Sequence, residues 1–65
     1  MRIDLNGASH ETAAPTLADL IVETGIEASA VATALNGQFV PCAARASTPL
    51  TPGAKVELLA PMQGG

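Results

Sequence analysis

Asn-Gly occurs twice, at residues 6–7 and 36–37, and each pair sits between stretches that suit a strand. This dipeptide is the strongest short hairpin signal, because a two-residue turn between twisted strands needs positive φ at both positions. Ahead of the first pair, residues 1 to 5 alternate. Ile3 and Leu5 face one way and Arg2 and Asp4 the other, the pattern of a half-buried strand. His10 to Ala14 has the length of the return strand, with an ambiguous composition. Around the second pair, Val31 to Leu35 and Gln38 to Val40 form the arms, and Pro41 ends the second arm because it cannot donate to a ladder. Ala32 and Ala34 are small enough to let another layer approach closely.

Between the hairpins lies a helix. Thr16 and Asp19 have capping-box spacing, with an acid shorter than the preferred Glu at the third helical position. Leu17, Leu20 and Ile21 share a face, while Asp19 and Glu23 fall elsewhere. Gly25 is placed as a left-handed stop, with Ile26 able to pack back on Ile21. Such a helix has about two turns and depends on packing against a sheet. Residues 27 to 30 are a connector. Residues 42 to 53 read as irregular, since Pro49 and Pro52 exclude a long helix and Pro52-Gly53 reads as a turn. Lys55 to Ala60 alternates again, with Val56, Leu58 and Ala60 opposite Lys55, Glu57 and Leu59. One helix covers one face of a sheet, so the expectation is an α+β domain. It has a mixed sheet of four to five strands, one short helix across one face, and the first and last strands side by side in the centre.

Size and composition exclude several functions. A chain of 65 residues makes one small domain, and at this size folding buries only about 60% of the surface the unfolded chain exposes. A pocket of the usual kind, roughly 300 Å³ or more, leaves little room for a complete active site. Phe39 is the only aromatic residue. The net charge is -3, and the three cations Arg2, Arg45 and Lys55 are too widely spaced for the basic footprint that nucleic acid requires. A single cysteine, Cys42, allows no internal disulfide, and no Cys/His cluster suggests a metal. No signal segment opens the sequence and no apolar run approaches the ~20 residues of a membrane helix. The expectation is a cytoplasmic protein with no bound cofactor.

The sequence closes on PMQGG. Gly64 and Gly65 have no side chains to pack and carry high backbone entropy, so the bland reading is a frayed end. The alternative is that the terminus is used. The opening MRIDLNG, the TLADLI helix, the ALNGQFVP hairpin, TPLTPGAKVEL and the final QGG, in this order, resemble the ThiS family of sulfur-carrier proteins of thiamine biosynthesis. The resemblance covers essentially the whole chain and implies a β-grasp, ubiquitin-like fold over residues 1–61, with a tail at 62–65. It also implies a mechanism. The Gly65 carboxylate would be adenylated with ATP by a partner enzyme of the ThiF type, converted to a thiocarboxylate through a sulfur-donor system, and used by a thiazole synthase of the ThiG type.

Met62, Gln63 and Gly64 would thread into the partner, and residues 62 to 65 reach about 13 Å when extended. The chain has no general base beside its own terminus, so it is expected to be a protein cosubstrate and not an enzyme. Phe39, Leu59 and Met62 would form an apolar docking patch if they lie exposed near the tail. Cys42 stands where similar sequences commonly have Arg, and Ala54 where many have Asp. Both replacements remove a charge from the expected docking region. Cys42 itself reads as a small half-buried side chain, His10 as a surface strand position, and Glu11, Asp19, Glu23 and Glu27 as a solvated face. Two other functions fit the same pattern: a sulfur carrier for molybdopterin or another metabolite, and a ubiquitin-like interaction module with a dispensable tail.

Overall fold

The structure is a computed structural model that describes residues 1–60. Its first hairpin joins β1 (Arg2–Leu5) to β2 (Ala8–Glu11). Asn6 and Gly7 take φ of 52° and 84°, the double positive φ of a type I′ turn. That two-residue turn makes the return strand begin at once, with Leu5 opposite Ala8 and Arg2 opposite Glu11. The strand therefore runs from Ala8 to Glu11, earlier than the expected His10 to Ala14. Asn36 and Gly37 repeat the same turn, φ 50° and 84°, between β3 (Ala32–Leu35) and β4 (Gln38–Val40).

Helix α1 (Leu17–Thr24) starts at Thr16, whose hydroxyl accepts from the Asp19 N–H at 3.2 Å. The shorter Asp19 side chain does not close the reciprocal bond to the cap backbone. Its carboxylate instead accepts from the Thr16 hydroxyl at 2.8 Å. Gly25 closes the helix in the left-handed region, φ 77°, and its N–H donates to the Val22 carbonyl. Ile26 remains 38% exposed, so packing back against the helix is incomplete. Leu17, Leu20 and Ile21 are fully buried. With Ile3, Val31, Val40, Leu50, Val56 and Leu58 they make the core between helix and sheet.

The sheet has five strands in the order β2-β1-β5-β3-β4, with β5 spanning Lys55–Leu59. The central pair, β1 and β5, is parallel, and the other neighbours are antiparallel. Residues 42 to 53 are more regular than expected. Cys42–Ser47 forms a 3₁₀ helix, as does the shorter Ala28–Ala30. The first of these delivers Arg45 to the interior, where it is 5% exposed. Its guanidinium donates to the Thr33 hydroxyl at 3.1 Å, to the Ala28 carbonyl at 2.9 Å and to the Val31 carbonyl. Among the described residues, no buried side-chain nitrogen or oxygen lacks a partner.

Candidate functional site

Helix α1 covers only one face of the sheet, so the alternation along each strand divides the residues between core and open face. On β5, Val56 and Leu58 point to the core and Lys55, Glu57 and Leu59 are exposed. Registry places Ala32 opposite Leu59 and Ala34 opposite both Glu57 and Phe39. The open face is therefore apolar at its β4 side. Phe39 and Leu59 are each 71% exposed there, with the small side chains of Ala32 and Ala34 between them. These residues, with Glu57 and Asn6, line a shallow depression of about 410 Å³. A single large aromatic side chain left in water beside an exposed leucine is the kind of surface that marks a contact site.

The rest of the open face is charged. Asp4 lies opposite Lys55 in the parallel pair, and Arg2 bonds the Ser9 hydroxyl and pairs with Glu11 at 3.5 Å. Glu11 also receives the N-terminal ammonium at 3.0 Å. That contact and the charge of the ammonium hold its carboxyl below the ordinary value. On the helix side, Glu23 accepts from the Thr12 hydroxyl at 2.7 Å and meets His10 Nε2 at 3.1 Å. The Thr12 bond first, and the His10 contact second, lower its carboxyl. Glu11, Asp19, Glu23 and Glu27 are all exposed, as expected, but on different elements: Glu11 sits on the sheet, Asp19 caps the helix, Glu23 ties the helix to β2 and Glu27 precedes the Ala28–Ala30 segment. Among the described residues no group of three or more His, Cys, Asp or Glu side chains could hold a metal ion. No helix among them is long and apolar enough to cross a membrane.

Two of the three residues expected in the docking patch, Phe39 and Leu59, are thus exposed on one face. Met62, Gln63, Gly64 and Gly65 lie outside the described residues, as does the expected boundary after residue 61. Cys42 is exposed, not half-buried: it opens the Cys42–Ser47 helix, whose buried residue is Arg45. Ala54 is 4% exposed, so its side chain belongs to the core and not to a docking surface. Asn6 and Arg45 carry no local sequence signal of these contacts: the first is already explained by its turn, and the second is one cation among three.

A five-stranded mixed sheet with its first and last strands parallel at the centre, and one helix on one face, defines a β-grasp domain of the ubiquitin-like kind. Within that class, the family model of the ThiS family matches residues 3–65, and the chain belongs to that family. Among solved structures it is similar to the crystal structure of the thiamine biosynthesis protein ThiS from Geobacter metallireducens. The two superpose with a TM-score of 0.85 at 26% sequence identity, over 100% of both chains. No curated protein matches the chain.

Proposed function

We propose that this protein is a sulfur carrier of thiamine biosynthesis that works through the carboxylate of Gly65. Membership of the ThiS family over residues 3–65, a span that includes Gly64-Gly65, carries this reading. A carboxylate is a poor electrophile. Adenylation by a ThiF-type partner, with release of pyrophosphate from ATP, converts it to a mixed anhydride with AMP as the leaving group. A sulfur nucleophile at the oxidation level of sulfide displaces AMP and leaves a thiocarboxylate. A ThiG-type synthase takes the sulfur for the thiazole ring, and the carboxylate returns.

Each step needs a slim terminus held on a firm base. Glycine admits close approach of a partner backbone, and β5, hydrogen-bonded on both sides, supplies the base. Phe39 and Leu59 supply the apolar contact that brings the partner to that end of the sheet. The closing residues PMQGG contain no acidic or basic side chain, which fits a cosubstrate acted on by partner enzymes.

Intact mass spectrometry tests the proposal. The protein is incubated with ATP, the activating enzyme and a sulfur source, beside an ATP-free control. One oxygen-to-sulfur exchange mapped to Gly65 is expected, and a chain extended by one residue after Gly65 should give none. Exchange in the extended chain, or no exchange with an enzyme active on another carrier, overturns the proposal.

A further inference from the structure

Registered pairing between β1 and β5 ends at Leu5 opposite Val56, because the chain turns away at Asn6-Gly7. Beyond that point the β1 side of β5 faces no strand among the described residues. The next residue of β5 that points its backbone groups to this side is Leu58, and both groups are nonetheless satisfied. Asn6 Oδ1 accepts from the Leu58 N–H at 2.8 Å and Asn6 Nδ2 donates to the Leu58 carbonyl at 3.2 Å. The Asn6 backbone N–H holds the Val56 carbonyl at 2.9 Å. One side-chain amide thus takes the place of the missing strand residue. On the opposite side Leu58 and Leu59 pair with Thr33 and Ala32.

We propose that Asn6 is a positioning residue for the reaction at Gly65, fixing the direction in which the chain leaves β5 by its two-point bond to Leu58. This rests on the carrier function proposed above. A turn alone does not require that bond, since glycine serves a left-handed position equally well. Asn36 provides a matched comparison. It occupies the same place in an identical turn, and its Oδ1 accepts from the Lys55 N–H at 2.9 Å. It therefore braces the start of β5, whereas Asn6 braces its exit. A reacting group displaced by about 1 Å can lose on the order of 100-fold in rate, so looseness at the exit acts on turnover. The docking face, with Phe39 and Leu59, is left as it was.

The test compares Asn6→Gly, Asn36→Gly and wild-type protein in pyrophosphate release by the activating enzyme. Circular dichroism melting sets a temperature at which all are folded. Asn6→Gly is expected to lower kcat about tenfold or more with KM unchanged, and Asn36→Gly to leave both near wild type. Asn6→Asp, which keeps the left-handed turn and the acceptor half of the bond, should fall between. Amide order parameters of Leu59 and Ala60 should drop in Asn6→Gly alone. Equal kcat in Asn6→Gly and wild type, or equal losses in both glycine variants, overturns the assignment. Absence of any release with wild-type protein sinks the carrier reading instead, and unchanged order at Leu59 and Ala60 then overturns the bracing role by itself.

Discussion

Arg45 carries a charge into the interior and, among the described residues, donates to neutral oxygens there. Its three donors hold Ala28, Val31 and Thr33, so one side chain ties a 3₁₀ helix to the connector before β3 and to β3 itself. Thr33 passes the chain on, donating to the Val40 carbonyl at 2.7 Å. A methionine would fill the space and leave those oxygens without donors, so Arg45→Met is expected to cost roughly 3 kcal/mol. Urea denaturation would read this as a lower midpoint with an unchanged slope.

Glu23 belongs to the same scale. Its folded carboxyl lies below the ordinary carboxylate value, through Thr12 first and His10 second. A depressed carboxyl adds stability above the unfolded pKa and loses it as pH falls through the folded one. Melting temperature should therefore decline from about pH 5 downward, and Glu23→Gln should flatten part of that decline. The N-terminal ammonium works on Glu11 with the same sign, so some slope should survive in the variant.

Elements show what a linear reading captures and what it misses. The helix was legible because its cap, its apolar face and its glycine stop agree on one span, from Thr16 to Gly25. Thr16→Ala removes the acceptor of the Asp19 N–H and should cost about 1 kcal/mol, measurable as a lower melting temperature. Both hairpins were legible as turns. The composition points to a return strand later than the observed one, because Ala8, Ser9, His10 and Glu11 lack the β-branched and aromatic residues that advertise a strand. The turn type, not the composition, starts β2 right after Gly7.

Cys42–Ser47 has too few turns to show a period, so neither its 3₁₀ form nor the burial of Arg45 could be read along the chain. The second role of Asn6 joins residues 52 positions apart and has no local signature at all. At the candidate site, the outward alternation of Leu59 was visible in the sequence. The exposure of Phe39 was not, because a lone aromatic suits a core equally well.

For the whole molecule, the unequal faces of the sheet matter most. One is closed by α1, and the other keeps Phe39 and Leu59 in water. Replacing both with serine should leave unfolding nearly unchanged, since neither side chain is in the core. It should weaken binding to the activating enzyme about tenfold or more if these are contact hot spots, as titration calorimetry would show. The order of strands has another consequence, for biosynthesis. Of the described strands β5 is made after the other four, yet it occupies the middle of the sheet. Until it is synthesised, the two hairpins share no ladder, and the core residues Val56 and Leu58 are missing. A growing chain can hold turns and a transient helix but not this sheet. Folding is thereby deferred until β5 has been made, and a chain cut short before β5 offers cellular proteases an unprotected substrate.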